Sequence, residues 1–237
     1  SNNSPAAGDG KVFVLGYDFV LRAHDAKTGK VLWQTKQPDD YAENLQIMLK
    51  SGAIGIRTLN SKGQPTTKTS ATALFAPPVR YADGVVLYSL NSSTLIAVDG
   101  ETGKELWRRQ LGVSLSDDGH GTAVSPVLFE DLVIILNEHD TSPGYIAALD
   151  QATGKVLWKI DRKINKMTYS TPILVEHGGQ TQLINACLDD GLMGLDPRSG
   201  KILWTTPNTY TLRTVAMPVY WQGHVFGSCG GGGKGKL

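Results

Sequence analysis

The sequence predicts an all-β fold assembled from repeated four-stranded antiparallel units, and three observations predict it. The first is an eleven-residue pattern, small-x-Asp-x-x-Thr/Ser-Gly-Lys-x-x-Trp, that recurs four times and marks a repeat architecture. Its copies run Ala23-His24-Asp25 through Gly29 to Trp33, Ala97-Val98-Asp99 through Gly103 to Trp107, Ala148-Leu149-Asp150 through Gly154 to Trp158, and Gly194-Leu195-Asp196 through Gly200 to Trp204. The second is the β-prone run on either side of each Asp-to-Lys segment. The third is composition: 27 glycines and 11 prolines in 237 residues, 41% hydrophobic and 19% charged, suit many strands joined by tight turns.

The elements follow in order. Each motif reads as a hairpin. Phe19-Val20-Leu21, Leu95 to Val98, Tyr145 to Leu149 and Leu192 to Leu195 enter the turn, and segments such as Val31-Leu32-Trp33 and Ile202-Leu203-Trp204 leave it. The Asp side chain accepts from backbone amides two residues on, and the Gly takes the positive φ of the loop. The small residue two before each Asp leaves space for a bulky group, expected to be a Trp from a neighbouring unit. Two further strands precede every motif. The first unit has Ser4-Pro5, a Gly8-Asp9-Gly10 turn and Val12 to Leu15; the second has Pro77-Pro78-Val79, an Ala82-Asp83-Gly84 turn and Val85 to Tyr88. The third has Ser125-Pro126-Val127, Glu130-Asp131 and Leu132 to Leu136; the fourth has Thr171-Pro172-Ile173, Gly178-Gly179 and Gln182 to Ile184. A fifth begins at Met217-Pro218-Val219, turns at Gln222-Gly223 and continues through His224-Val225-Phe226. Four strands per unit is the content of a propeller blade.

On these four motifs and their upstream strands the chain resembles the pyrroloquinoline-quinone (PQQ) repeat, found in quinoprotein dehydrogenases and in non-enzymatic BamB-type outer-membrane assembly lipoproteins. The resemblance covers nearly all of 1–237, read as one PQQ-like repeat β-propeller, with 37–73 as an inserted element. It implies that Trp33, Trp107, Trp158 and Trp204 dock each blade on the next, with Asp25, Asp99, Asp150, Asp196 and the glycines at 29, 103, 154 and 200 building the docking turns. It further implies a periplasmic or secreted protein and rings of seven or eight blades. The Trp-to-Trp spacings of 74, 51 and 46 residues accommodate about four and a half blades here, so a partial propeller is expected.

The break in the repeat falls between Gln37 and Ala73. Pro38-Asp39-Asp40 opens a helix expected over Ala42 to Lys50 and ended by Gly52, with Leu45, Met48 and Leu49 at helical spacing. A polar loop follows through Ser70. The excess over one blade, about 25 to 30 residues, is larger than an ordinary connection. It reads as an insertion packed on the rim, with a lid or partner-binding element as the alternative.

Charge and apolar runs exclude some classes of function. A net charge of +1 gives no footprint for nucleic acid or an anionic membrane. No apolar run approaches the ~20 residues that a spanning helix needs.

What the resemblance implies chemically meets obstacles in this sequence. Quinoprotein dehydrogenases hold calcium on carboxylate and amide ligands beside PQQ, use an Asp base and carry an adjacent Cys-Cys disulfide. Here the only cysteines are Cys187 and Cys229, so a vicinal disulfide is impossible and two buried thiols are expected, with a structural disulfide between them as the alternative. No loop shows the acidic ligand run of a calcium site. The expectation is therefore no cofactor, with PQQ and calcium as the alternative.

Polar clusters offer candidate sites. Asp117, Asp118 and His120 precede the third unit, and His139 stands between Glu138 and Asp140. They suit metal ligation or acid–base work, against the expected readings as a capped inter-blade turn and a solvated hairpin tip. Arg57, Arg162 and Arg213 are candidate channel or rim cations. Gly230 to Gly235 lacks the residue order and following helix of a phosphate loop and reads as a hairpin loop. Trp221, outside the motif register, is expected in the core, with an exposed contact aromatic as the alternative. With these departures the resemblance implies a non-catalytic, BamB-like scaffold for a protein or peptide partner, with a quinone-dependent oxidoreductase or a fragment of one as the alternative.

Overall fold

The computed structural model describes residues 4–16, 18–36, 79–90, 94–111, 124–138, 144–231 and 234–236. These form twenty strands and no helix. The expected helix over 42–50 and the rest of the 37–73 insertion lie outside the described residues.

Four sheets have the same plan, four antiparallel strands in chain order. The first holds β1 (Ala6–Gly8), β2 (Lys11–Leu15), β3 (Leu21–Asp25) and β4 (Val31–Gln34); the second holds β5 (Arg80–Ala82), β6 (Val85–Leu90), β7 (Thr94–Asp99) and β8 (Glu105–Gln110). The third holds β9 (Val127–Phe129), β10 (Leu132–Asn137), β11 (Gly144–Asp150) and β12 (Val156–Arg162). The fourth holds β13 (Ile173–His177), β14 (Gln180–Cys187), β15 (Gly191–Leu195) and β16 (Ile202–Thr205). Two hairpins follow, β17 (Val219–Trp221) with β18 (His224–Phe226) and β19 (Cys229–Gly231) with β20 (Lys234–Lys236). By contacts the chain divides into two compact units, Ser1–Gly121 with Ala152–Gly154, and Thr122–Gln151 with Lys155–Leu237.

Middle strands are buried and outer strands are not. Every residue of β10 is buried and so is nearly all of β7, as an uninterrupted apolar run such as Leu132-Val133-Ile134-Ile135-Leu136 demands. One core in the first unit gathers Phe13, Leu15 and Leu21 from the first sheet with Val86, Tyr88 and Ile96 from the second. In the second unit Ile134, Leu136 and Ile146 pack with Leu183, Met193 and Leu195. The last strand of each four-stranded sheet is an open edge, and each carries a register shift at one place, opposite Ala23/His24, Ala97/Val98, Ala148/Leu149 and Gly194/Leu195. That leaves Leu32, Leu106, Leu157 and Leu203 as the extra residues of four bulges, which disrupt pairing along an exposed edge.

Three expectations are corrected. Phe19 has φ 57 and lies in the β2–β3 turn rather than in a strand. Trp221 is 61% exposed rather than in the core; alternation along β17 points Tyr220 the other way, where its hydroxyl meets His177 Nδ1 at 3.0 Å. The small residue two before each Asp faces the Trp of its own hairpin: Ala23, Ala97, Ala148 and Gly194 are the cross-strand partners of Trp33, Trp107, Trp158 and Trp204. Cross-strand neighbours are the closest pairs a sheet makes, so the space left by the missing side chain is filled locally.

Candidate functional site

The motif turns are built alike. Asp25 Oδ1 accepts from Lys27 N, Thr28 N and Thr28 Oγ1 at 3.1, 2.7 and 2.7 Å, and Asp99 accepts from Glu101 N, Thr102 N and Thr102 Oγ1 at 3.2, 2.7 and 2.7 Å. The Thr hydroxyl first, then the Thr amide, hold both carboxyls below the usual carboxylate range. In the other copies Asp150 N donates to Lys155 O and Asp196 N to Lys201 O at 2.8 and 2.9 Å. The motif glycines at 29, 103, 154 and 200 have φ between 66 and 73.

Three of the tryptophans lie on a glycine of another turn. Within the first unit, Trp33 covers Gly103 and donates Nε1 to Gly100 O at 3.1 Å; Trp107 covers Gly154, whose carbonyl accepts from Arg109 Nε at 2.7 Å. Within the second, Trp158 covers Gly200 and donates Nε1 to Pro197 O at 3.1 Å. Trp204 instead donates to Gln182 Oε1 at 2.8 Å and lies against Gly194 of its own sheet. These residues are held in place by structural duties and leave little free chemistry.

Chemistry gathers at the opposite end of the strands in the second unit. Glu138, just past β10, is the one buried charged residue among the described residues. Arg162, the last residue of β12, donates Nε to Glu138 Oε1 at 2.8 Å and an Nη2 proton to the Asp190 carboxylate in the β14–β15 turn. Asn185 Nδ2 donates to Glu138 Oε2 at 3.1 Å. Asp190 N donates to Cys187 Sγ at 3.4 Å, which itself lies 3.5 Å from Asp190 Oδ2. Burial pushes the Glu138 carboxyl up, against the pull of Arg162 and Asn185. Burial also opposes the Arg162 charge, but Glu138 and Asp190 outweigh it and raise its pKa, so the guanidinium stays cationic. Burial, then the Glu138 charge, push the Cys187 thiol up to about 12, which makes it a poor nucleophile.

Of the candidates taken from sequence, Asp117, Asp118, His120, His139 and Arg57 lie outside the described residues. Arg162 enters the network above, whereas Arg213 stacks over Tyr169, 5.9 Å from the ring centre. Cys187 and Cys229 are separate buried thiols. Asn185 and Asp190 carry no signal in the sequence, because a lone Asn in an apolar strand and an Asp in a Gly-flanked turn form no motif.

Sequence and structure comparisons bear on the family. A family profile described as "Outer membrane protein assembly factor BamB" matches residues 55–228. The chain belongs to this PQQ-like repeat family. It is 25% identical over 232 residues to outer membrane protein assembly factor BamB of Burkholderia pseudomallei, with 86% of this chain and 55% of that protein covered. It is also 31% identical over 176 residues to quinohemoprotein alcohol dehydrogenase ADH IIB of Pseudomonas putida, covering 65% of this chain and 24% of that protein. Solved structures with the same fold include BamB from Moraxella catarrhalis (TM-score 0.58, 18% identity, 94% of this chain and 54% of that one). The quinohemoprotein alcohol dehydrogenase from Comamonas testosteroni is another (TM-score 0.61, 18% identity, 95% and 39%). The fold is therefore a β-propeller, here in part. The chain spans about half the length of the BamB relatives and about a quarter of the dehydrogenase.

A quinone–calcium pair does not fit the described residues. Its cation needs several converging oxygens, yet the buried carboxylate that would anchor one already holds Arg162. Among the described residues no group of three or more His, Cys, Asp or Glu is arranged for a metal ion.

Proposed function

We propose that the chain is a non-catalytic, BamB-like propeller scaffold that binds a protein or peptide partner in the periplasm or outside the cell. The observation that carries this reading is Arg162, whose guanidinium occupies the one buried carboxylate among the described residues. A cationic side chain there leaves neither a free base nor an open cation position. The family profile, described as an outer-membrane assembly factor, supports the same reading, and rim loops and blade edges are the surfaces it would use.

A quinone-dependent oxidoreductase, or a piece of one, is the second reading. The 31% identity to ADH IIB favours it, and it places the reacting groups among residues beyond those described. Calorimetric titration of the folded chain with PQQ, with and without calcium, separates the two. The scaffold reading expects no saturable heat; saturable, calcium-dependent binding would replace it with the second. Cross-linked capture from bacterial envelope extracts, followed by a direct binding titration of the captured protein, then tests the partner.

A further inference from the structure

Two joints between neighbouring sheets share one tryptophan contact and differ in everything beside it. Trp33 Nε1 donates to Gly100 O and Trp158 Nε1 to Pro197 O, in each case the residue after the motif Asp. The next residue is Glu101 in the second sheet and Arg198 in the fourth. Glu101 Oε2 accepts from Nζ of Lys11, the first residue of β2, at 2.6 Å. Arg198 Nη1 donates to Asp131 Oδ1 at 2.9 Å, and its other arm pairs with Glu130; both carboxylates belong to the β9–β10 turn. Polarity is therefore inverted: cation on the first sheet and anion on the second, then anion on the third and cation on the fourth. Shape differs at the same place. Gly8 pairs with Lys11 and Phe129 with Leu132, so Gly8 and Phe129 hold equivalent positions. A Cβ on Gly8 would collide with the ring of Tyr81 in the second sheet, whose hydroxyl donates to Asp9. Phe129 instead lies under the Arg198 guanidinium, 5.6 Å from its ring centre.

We infer that the first turn of a sheet and the second residue after the motif Asp of the next form a key that selects which sheet docks on which. The tryptophan contact is common to both joints and cannot discriminate. With the third sheet in place of the first, Glu130 and Asp131 would face Glu101, and Phe129 would enter the space that Tyr81 fills. With the first in place of the third, Lys11 would face Arg198, and Gly8 would leave the place of a phenylalanine ring empty. Attraction across these joints contributes little, because the Glu101 side chain is 77% exposed and that of Arg198 54%. Rejection is the larger effect: like charges brought together and a ring without space penalise the wrong neighbour, and specificity is that difference. Near-identical units, within one chain or between two chains folding together, are open to exchange, a characteristic failure of repeat proteins. The key works against that exchange.

The test separates rejection from attraction by thermal melting of the full chain. Glu101→Gln removes the attraction, Glu101→Lys sets two cations face to face, and Lys11→Glu with Glu101→Lys restores a matched pair of opposite polarity. In low salt Glu101→Gln is expected to melt within about 2 °C of the unsubstituted chain. Glu101→Lys is expected to melt at least about 3 °C below Glu101→Gln, and the double variant to recover most of that fall. In 1 M sodium chloride, where the Debye length is ~3 Å, the gap between the two single variants is expected to close. Arg198→Gln and Arg198→Glu should repeat the pattern at the second joint. For shape, Gly8→Ala is expected to lower Tm by about 4 °C, and to cost little when Tyr81→Ala is already present. Equal melting of neutral and reversed variants overturns the inference, and so does a double variant that recovers nothing or a gap that survives salt. A Gly8→Ala penalty unchanged beside Tyr81→Ala overturns the part played by shape.

Discussion

Gly103→Ala isolates what the Trp33 contact contributes, because Gly29→Ala supplies a control in the same unit. Both glycines have φ +72, so an alanine at either meets the left-handed penalty of roughly 1–2 kcal/mol, partly offset by about 0.4–1 kcal/mol from a stiffer unfolded chain. Among the described residues a Cβ on Gly29 meets nothing within 4 Å, whereas one on Gly103 would stand 2.5, 2.8 and 3.0 Å from three carbons of the Trp33 ring. Ordinary carbon contacts are about 3.5–4.0 Å, so the ring must move by about 1 Å. Overpacking of this kind costs about 1–3 kcal/mol, and displacing the ring also strains the Nε1 bond to Gly100 O, worth about 1 kcal/mol. Gly29→Ala should therefore lower stability by about 1 kcal/mol and Gly103→Ala by about 3–4 kcal/mol. At roughly 2–4 °C per kcal/mol, thermal melting should show falls of about 2–4 °C and about 6–16 °C. Placing both substitutions in a Trp33→Leu background should close most of the gap. Equal melting temperatures for the two single variants would refute the claim that the ring, rather than the backbone conformation, requires glycine at 103.

The remaining predictions use other parts of the molecule. Cys187, raised to about 12, should resist alkylation at pH 8 in the folded chain and react promptly in denaturant; fast native-state labelling seen by mass spectrometry would contradict its burial. Asp18 is held below the usual carboxylate range chiefly by its hydrogen bond to Arg22. Because its folded pKa is depressed, the stability it contributes is present above pH ~4 and is lost as pH falls through the folded value. Both side chains are 30% exposed, so Asp18→Asn should cost under about 1 kcal/mol at pH 7, and the cost should shrink as pH falls through the folded value, read by urea titration. Trp221→Ser should change Tm by less than Trp158→Ala, since Trp221 is mostly exposed and loss of a packed tryptophan costs about 3–5 kcal/mol.

The fold was legible because the repeat places identical chemistry at identical register. An Asp that accepts its own turn's amides, a glycine that must take positive φ and a Trp on the returning strand reproduce one hairpin four times. Boundaries were less legible where local propensity and tertiary need differ: Phe19 has strand propensity but sits in the turn. Trp221 misled for a related reason, since a large aromatic in a strand favours burial without saying which face is covered. The buried network was legible only in pieces. Arg162 drew notice as an unassigned cation and Glu138 only as a carboxylate beside His139. Their meeting with Asn185 and Asp190 depends on two sheets packing side by side, which no spacing within 138–190 records.

The repeat also explains why the two ends of a sheet differ. In each four-stranded sheet the first and third turns lie at one end, and the third is the Asp-to-Lys motif. Polar groups there are engaged by the turn itself, by a neighbouring Trp or by another turn, as in Lys11 with Glu101 and Arg198 with Asp131. The middle connection lies at the other end and carries no repeated chemistry. There each described connection holds a carboxylate answered by an arginine from the chain: Asp18 by Arg22 after β2, and Glu138 after β10 with Asp190 after β14 by the single Arg162. The second case differs in kind, since it is buried and joins two sheets. An exposed pair such as Asp18–Arg22 contributes little and tolerates drift, whereas a buried one penalises the loss of either member severely. Substitution at this end should therefore be tolerated better in the first sheet than between the third and fourth. That asymmetry predicts that Arg162→Ala lowers the melting temperature well beyond Arg22→Ala, and equal falls would refute it.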